Sequence, residues 1–545
     1  MFKNLSSLDL FVIGIYFLGV FGIAMFFYFQ KKFANKSRSP ESYFLGGRNL
    51  GWWVIGASLF ASNIGSEHLI GLAGAGAKGD FAAGQFEILA AIMLLLLGWF
   101  FVPFYMKSGV FTMPEFLERR YSAWARNYLS WISIVGYVLT KISVTIAAGG
   151  IVFTALLGID FWTGALLIVI FTGVYTLIGG LKVVVYTDFL QMIVLIGGSV
   201  ALTYFGLQEL DGWSGVVQNV PEGSLSLWKD MSHPDFPWTG ILLGAPILGV
   251  WYWCTDQFIV QRVLAAKNIS HARRGTIFGG FLKLLPLFLF VVPGVIALAL
   301  SVGDNPLITF PIKSDGSTNY DAALPLLSLA VLPTGFKGLV IAGLLAALMS
   351  SLSSVFNSCS TLFTMDIYQK RKPKASKKHL VYVGQIATVV LTVLGLAWIP
   401  FMEFIKGGLF QKLQSIQAFI SPPIAAVFLI GILSKKITPK AAKITLLTGA
   451  VIGISRLVLE LSQDSLSGLA LQFTQINFLH FAFILFVFCV VLLYLFSSKE
   501  EALPLERLQE ITWQKGAISM EKSRLNVLLS VLLLVAVIII WYLFK

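Results

Sequence analysis

The sequence predicts an all-α protein that crosses a membrane many times, and three observations support this fold class. Of the 545 residues, 57% are hydrophobic and only 12% are charged, whereas soluble domains have roughly 45–50% apolar and about 25% charged residues. The mean hydropathy is +0.82. Aromatic residues are abundant, with 45 Phe and 14 Trp, as expected for contact with lipid and its interfaces. These values argue against a soluble enzyme, a disordered chain and a disulfide scaffold.

Apolar segments long enough to span a bilayer recur along the whole chain. A transmembrane helix needs about 20 mainly apolar residues, and we count fourteen such segments, numbered here from first to fourteenth. The first is too long for the apolar part of a signal peptide, so we expect it to be retained. The approximate bounds are 9–30, 52–77, 81–105, 128–157, 160–179, 184–207, 239–264, 275–301, 336–365, 379–399, 413–433, 444–462, 475–496 and 525–544.

The basic residues predict how these spans are oriented. With the N-terminus outside, 29 of the 40 Lys and Arg residues fall in cytoplasmic segments, 8 fall in outer segments and 3 fall within spans. Such an excess is typical of cytoplasmic loops. We therefore expect a multi-pass protein of the cell membrane with both termini outside the cytoplasm. The net charge of +13 then reflects basic residues on one membrane face and does not indicate a nucleic-acid partner. We interpret the basic run Lys370–Lys378 as a topology anchor, with a lipid-binding or regulatory role as the alternative.

Two spans combine several polar residues, which are costly at bilayer depth and therefore suggest function. The second span carries Asn63, Glu67 and His68 among several glycines, a pattern typical of a broken helix that lines a cavity. The ninth span has four serines within five residues, whose hydroxyls are hard oxygen ligands for a small cation. A lone serine would only bond to its own helix. The four are Ser350, Ser351, Ser353 and Ser354.

Other spans carry more isolated signals. Glu87 lies in the apolar third span, and Lys283 lies about eight residues inside the eighth, far from water for a snorkelling lysine. Asp188 in the sixth span is either a gate, a coupling group or cation ligand, or the partner in an interfacial salt bridge. The aromatic run Trp251–Trp253 is either an interfacial belt or a surface on which the C–H faces of a sugar stack.

Signatures of catalysis are missing from the sequence. The five histidines are dispersed, the three cysteines lie in apolar stretches, and there is no H-E-x-x-H motif and no Walker A motif. We therefore expect no enzyme activity and no organic cofactor.

Seven runs between the second and eleventh spans resemble the sodium/solute symporter family, specifically the bacterial members of its sodium/glucose (galactose) cotransporter branch. They are SNIGSEHLIGLAGAG (62–76), FTMPEFLERRY (111–121), IGGLKVVVYTDFLQ (178–191), WYWCTDQFIVQRVLAAKN (251–268), FLKLLP (281–286), LMSSLSSVFNSCSTLFTMDIY (348–368) and QSIQAFISPPIAAVFL (414–429). The resemblance implies the leucine-transporter fold, with two inverted repeats of five helices and additional helices at both ends.

The fold implied by the resemblance divides the chain into five parts. We expect the first repeat at 52–207 and the second at 239–433, separated by an extracellular loop at 208–238. An extra transmembrane helix and a cytoplasmic loop would occupy 1–51. Three further helices, with a cytoplasmic amphipathic segment, would occupy 434–545.

The resemblance also implies binding sites where the first, broken helices of the two repeats meet near the bilayer midplane. The implied sugar site comprises Asn63, His68, Glu87, Tyr252, Trp253, Lys283 and Gln414. The common sodium site of the family maps onto the carbonyls of Ala61, Ile64 and Ala347 and the hydroxyls of Ser350 and Ser351. A second sodium site, found in some relatives, would use Asp188, Ser353 and Ser354.

The implied function is import of a neutral hexose together with sodium, by alternating access, in a protein that acts as a monomer in lipid. Departures from the family pattern at Gly249, Gln411 and Gln417 leave glucose, galactose and myo-inositol open. Transport of sialic acid, proline or pantothenate is an alternative. A sugar-gated sodium channel or sensor is another, although Gln414 agrees with the transporting members. A membrane enzyme is the weakest alternative.

Overall fold

The computed structural model describes residues 5–33, 39–313, 316–398, 409–501, 503–513 and 523–545. Within these ranges the chain is mainly helical, and β-structure is limited to isolated bridges. Eleven described helices are long and apolar enough to cross a membrane. They are Ser7–Gln30, Phe81–Ser108, Ala123–Gly150, Phe161–Gln208, Ile269–Ala299, Phe336–Arg371, Lys377–Ala397, Leu413–Leu433, Pro439–Leu461, Phe478–Ser497 and Arg524–Leu543.

The count of fourteen spans stays a prediction, because only eleven of the described helices are long and apolar enough to be recognised as spans. Two of the predicted spans, the second and the seventh, are instead divided into shorter helices. The predicted fifth and sixth spans form one helix of 48 residues that bends at Gly180. The domain boundaries also stay predictions, and the predicted amphipathic segment falls partly outside the described residues, which omit 502 and 514–522.

The first broken helix consists of Trp52–Asn63 and Ser66–Ala77. Between its halves, Ile64 (φ −81°, ψ 90°) and Gly65 (φ −89°, ψ 175°) have extended backbone. A Cβ atom on Gly65 would lie 2.2 Å from a carboxylate oxygen of Glu67, so a side chain at the break would displace that carboxylate. The interruption deprives the backbone carbonyls before it and the amides after it of their usual helical partners.

The second broken helix consists of Trp238–Leu243, Ala245–Gly249, a π-helical turn at Val250–Thr255, and Gln257–Leu264. Asp256 interrupts it with extended backbone (φ −78°, ψ 129°), and its carboxylate accepts a hydrogen bond from the amide of Phe258 at the start of the last helix. This N-cap satisfies one of the amide groups exposed by the break.

Two long helices enclose the first broken helix. The bent helix, Phe161–Gln208, packs along the serine helix, Phe336–Arg371, and both contact Trp52–Asn63. Gly180 in the bent helix has φ 61° and ψ −159°, a conformation that essentially only glycine adopts. A Cβ atom there would lie 2.4 Å from the carbonyl oxygen of Tyr43. The sequence Gly179-Gly180 therefore allows both the bend and the close approach of a neighbouring segment.

Candidate functional site

Four side chains from four different helical elements form a buried polar cluster beside the two breaks. The Lys283 ammonium donates to Asn63 Oδ1 at 2.5 Å and forms an ion pair with the Glu87 carboxylate. The Asn63 amide donates to the Tyr252 hydroxyl at 3.0 Å. All four residues are at least nine-tenths buried. The break after Asn63 and the π-helical turn around Tyr252 bring these side chains together, although they are distant in the sequence.

A small cavity adjoins this buried cluster. Asn63, Glu87 and Tyr252 line it together with the other predicted sugar-site residues His68, Trp253 and Gln414. The Trp253 ring centroid lies 5.3 Å from the Lys283 ammonium. The structure therefore brings all seven predicted sugar-site residues into one region, six in the cavity wall and Lys283 directly behind it. The cavity volume is about 40 Å³, near the roughly 30 Å³ share of one water molecule in the liquid, so a hexose requires these side chains to move apart.

The three positions that depart from the family pattern differ in their relation to the cavity. Gly249 and Gln417 line it, and a Cβ atom on Gly249 would lie 2.6 Å from the Met93 side chain. The amide of Gln411 instead donates to Asp235 in the predicted extracellular loop.

Part of the predicted sodium site is assembled at the break of the first broken helix. The Ser350 hydroxyl lies 2.8 Å from the carbonyl oxygen of Ala61 and 2.9 Å from that of Ala347. Three of the predicted ligand oxygens therefore converge. The Ser351 hydroxyl bonds to the carbonyl of Ser62 at 3.1 Å. Ile64 lies at the break itself, in extended backbone.

In the region predicted as a second sodium site, Asp188, Ser353 and Ser354 have hydrogen-bond partners within the protein. Asp188 accepts hydrogen bonds from Ser58 at 2.5 Å and Ser62 at 3.1 Å. The Ser354 hydroxyl reaches the same group by donating to Ser62 Oγ at 3.0 Å. Ser353 donates to the Ser350 carbonyl of its own helix at 3.0 Å.

Arg262 also lies in this region, and the sequence had not predicted it as a site residue. Its guanidinium is 3.9 Å from the Asp188 carboxylate and donates to Ser58 at 2.8 Å and to Ser354. Arg262 is fully buried, although its place near the end of the predicted seventh span, 239–264, is typical of a residue at the cytoplasmic face. The available signal was the position of Arg262 within the predicted seventh span.

Lys141 is a second missed residue. Its ammonium lies 4.1 Å from the Tyr252 ring centroid, 3.7 Å from that of Phe258 and 3.6 Å from the Asp256 carboxylate. Asp256 also accepts a hydrogen bond from Tyr137. A lysine within the apolar fourth span was the available signal. Its amino group therefore lies under the Tyr252 ring, beside the candidate site.

A polar network lies beyond the second half of the first broken helix. Lys78 pairs with Asp235 at 2.8 Å and with Asp80 at 3.0 Å. Partial burial lowers the pKa of Lys78, but the hydrogen bond and charge of Asp235 and the charge of Asp80 outweigh it and raise that pKa above its ordinary value. Asp235 also accepts from Gln411. This network ties the loop before the second broken helix to the first broken helix.

Comparison with known proteins identifies the family. A family model described as "Sodium:solute symporter family" matches residues 43–453. The chain belongs to the sodium:solute symporter family. This symporter is 39% identical to sodium/glucose cotransporter 1 of Ovis aries, with 93% of the chain and 81% of the relative covered. It is 37% identical to sodium/glucose cotransporter 4 of Mus musculus, with 94% and 78% covered. It is a multi-pass membrane protein for sodium-coupled solute symport and not an enzyme.

Solved structures confirm the fold class of the symporter. The substrate-bound outward-open state of a Na⁺-coupled sialic acid symporter superposes with a TM-score of 0.77 at 21% identity, covering 91% of this chain and 99% of the other. Mhp1, a nucleobase-cation-symport-1 family transporter, in a closed conformation, gives a TM-score of 0.50 at 14% identity, covering 87% and 98%. The symporter therefore has the predicted leucine-transporter-like fold.

Proposed function

We propose that this symporter imports a neutral hexose together with sodium, and that the cavity between the two broken helices is the hexose site. The observation that carries the proposal is the buried cluster of Asn63, Glu87, Tyr252 and Lys283 beside the cavity. The similarity to sodium/glucose cotransporters over most of the chain supports the same substrate class.

The chemistry of the cluster suits a polyol. A hexose offers several hydroxyl groups, each of which donates and accepts hydrogen bonds, and an apolar C–H face. Glu87 accepts hydrogen bonds, Lys283 donates them, and Asn63 and Gln414 do both. Tyr252 and Trp253 supply aromatic surface for the C–H face. Glu87 and Lys283 neutralise each other, so the site as a whole favours an uncharged substrate over an ionic one.

Sodium binding is proposed at the group of oxygens around Ser350. A sodium ion held there by the carbonyls of Ala61, Ile64 and Ala347 and the hydroxyls of Ser350 and Ser351 would replace the direct Ser350–Ala61 hydrogen bond. It would hold the first broken helix against the serine helix. Asn63 follows Ala61 by two residues, so the ion and the hexose would act on the same short segment. This connection provides the coupling between the two solutes.

A second sodium ion is proposed near Asp188, with Ser354 and Ser353 as further ligands. In the structure the Arg262 guanidinium lies beside Asp188 and donates to Ser354. Binding of a second ion there requires Arg262 to withdraw, because two cations would otherwise share one carboxylate. We also propose that a single chain is sufficient for transport, since the candidate sites are built from one chain.

Uptake into liposomes tests the proposed substrate class. The purified symporter is reconstituted, and labelled glucose and galactose uptake is measured with inward sodium and with inward potassium. Unlabelled myo-inositol, sialic acid, proline and pantothenate are then added as competitors. We expect sodium-dependent hexose uptake that a hexose inhibits and that proline and sialic acid leave unchanged. Inhibition by proline or sialic acid, but not by hexoses, would refute the hexose proposal.

A further inference from the structure

A large apolar groove lies on the outside of the helix bundle, between Ala123–Gly150 and Lys377–Ala397. Its volume is about 760 Å³, far larger than the central cavity. The second helix lines it with residues at helical spacing, including Val383, Val390 and Leu394, and the first helix contributes Trp131 and Val138. The groove is therefore a concave channel along the membrane-spanning surface, deep enough to hold an aliphatic chain between two helices.

One end of the groove is polar. Tyr368 belongs to its lining, and the Tyr368 hydroxyl lies 2.8 Å from Nε2 of His379. His379 precedes Val383 by four residues, so the two share one face of the helix. The apolar stripe thus ends in a pair of side chains that can hydrogen-bond to a lipid headgroup or to water.

A basic loop, Lys370–Lys378, connects Tyr368 to His379 at this polar end of the groove. Lys370 is neutralised by Glu118 at 2.9 Å. The other basic residues of the loop are exposed and have no ion pair with any acidic residue in the described ranges. They are Arg371, Lys372, Lys374, Lys377 and Lys378. Five cations without acidic partners therefore lie between Tyr368 and His379, at the mouth of an apolar groove.

We propose that the groove and the basic loop together form a binding site for one anionic phospholipid. An acyl chain would occupy the groove, and the phosphate group would lie among the basic loop, Tyr368 and His379. Charge complementarity selects this occupant, since five cations attract a headgroup with a net negative charge, whereas a zwitterionic headgroup has no net charge. A free phosphate ion would leave the groove unfilled. The proposal concerns a surface separate from the transport site and does not depend on the identity of the transported solute.

Native mass spectrometry of the detergent-purified symporter measures this binding directly. Palmitoyl-oleoyl phosphatidylglycerol and phosphatidylcholine with the same chains are titrated separately. We expect one phosphatidylglycerol molecule to bind at least about tenfold more tightly than phosphatidylcholine. Equal affinity for the two lipids would overturn the proposal, because the basic loop would then play no part.

Two matched pairs of variants test the two halves of the site. K372Q/K374Q should lower the affinity for phosphatidylglycerol by about tenfold, whereas K435Q/K436Q, which removes the same charge from another predicted cytoplasmic loop, should leave it unchanged. V390W should abolish tight binding by filling the groove. V393W is its control, because Val393 is on the same helix, is 58% exposed and is not part of the groove lining.

Melting temperatures without added lipid show whether each variant is folded, and L394W replaces V390W if the latter does not fold. Tight binding of phosphatidylglycerol by a folded groove-filling variant would reduce the site to a headgroup contact and overturn the proposal. An equal loss in K435Q/K436Q would mean that any cytoplasmic charge attracts the lipid, which also overturns it. Displacement of phosphatidylglycerol by inorganic phosphate alone would likewise contradict a role for the groove.

Discussion

The Glu87–Lys283 pair shows at the level of single residues how the site is held together. Both side chains are almost completely buried, and a buried ion pair recovers its desolvation cost only when its members keep their partners. Lys283 has two, Glu87 and Asn63. Loss of either member therefore leaves the other charge buried without its partner. The two groups can also form hydrogen bonds with the hydroxyl groups of a polyol.

We predict that K283M will lower stability by about 3–5 kcal/mol, because it leaves the Glu87 charge buried without its cation. The double variant K283M/E87L removes both charges and should recover most of the melting temperature. Neither variant should take up hexose. Thermal unfolding followed by tryptophan fluorescence gives the stability, and liposome uptake gives the activity. Recovery of uptake in the double variant would show that the pair has only a structural role.

We predict that S350A will weaken sodium dependence. The substitution removes the hydroxyl that lies within hydrogen-bond distance of both Ala61 and Ala347, so the proposed ion would lose one of its ligands. The sodium concentration for half-maximal uptake should rise about tenfold, equivalent to about 1.4 kcal/mol.

S360A is the matched control for S350A. Ser360 is also a buried serine of the serine helix, but its hydroxyl donates to the Gly384 carbonyl at 2.6 Å, away from the proposed ion. Sodium dependence in S360A should equal that of the unmodified protein. An unchanged sodium requirement in S350A would remove Ser350 from the sodium site.

At the scale of elements, the breaks and bends of helices decide where polar groups meet. The sequence predicted the first break from the density of glycine and polar residues around Ile64 and Gly65, and the structure has the break there. The resemblance implied that the second repeat also begins with a broken helix but did not name the residue of the break, and in the structure Asp256 interrupts this helix and caps the next one. Helix-capping residues are frequent in loops, so an aspartate within an apolar run gives only a weak local signal.

The candidate site was predictable from sequence to a large extent because its residues lie in distinctive runs. The resemblance implied seven residues for a predicted sugar site, and the structure brings them together around one small cavity. The positions of Arg262 and Lys141 were not predictable in the same way. Arginine near the end of a span is usually a topology signal, and only packing shows that this one reaches Asp188. Pairing of Ser353 with its own helix also depends on side-chain rotamers that sequence patterns do not specify.

We predict that G180A will destabilise the bent helix. Alanine would need a backbone conformation reserved for glycine and would bring a Cβ atom to 2.4 Å from the Tyr43 carbonyl. The expected loss is about 1–3 kcal/mol. G197A is the control, because this glycine is in the same helix and has nothing within 4 Å of its added Cβ atom. A G180A melting temperature equal to that of G197A would contradict the interpretation of the bend.

At the scale of the whole molecule, transport requires the cavity to open alternately towards each side of the membrane. The network of Lys78, Asp80, Asp235 and Gln411 joins the first broken helix to the predicted extracellular loop on one side. The small volume of the central cavity agrees with closure around the site. We therefore expect opening on this side to separate Lys78 from Asp235.

We predict that K78A will favour opening on the side of this network. A partly exposed ion pair is worth about 1 kcal/mol, so the open population should rise by about fivefold. The measurement is the rate at which a membrane-impermeant thiol reagent modifies a cysteine introduced at Leu89, in the cavity wall. K337A is the control, because Lys337 lies at the start of the serine helix and, in the described part of the chain, has no ion pair or hydrogen bond with the residues of this network. Equal rates in both variants would exclude the network as a gate.

Coupling between sodium and hexose transport depends both on the binding residues and on the broken helices that carry them. Each sodium charge that moves through 100 mV contributes about 2.3 kcal/mol. At zero voltage, a tenfold sodium gradient should concentrate the hexose up to about tenfold with one sodium ion per sugar and about a hundredfold with two, following the 1.4 kcal/mol free energy of each tenfold ratio.

The measurement that tests this account most directly is the steady-state ratio of hexose inside and outside proteoliposomes as the sodium gradient is varied. We expect the hexose to accumulate above its external concentration when sodium is higher outside, and to flow out again when the gradient is reversed. S350A should require more sodium for the same accumulation. A hexose concentration that only equalises across the membrane, whatever the sodium gradient, would contradict sodium-coupled hexose symport by this protein.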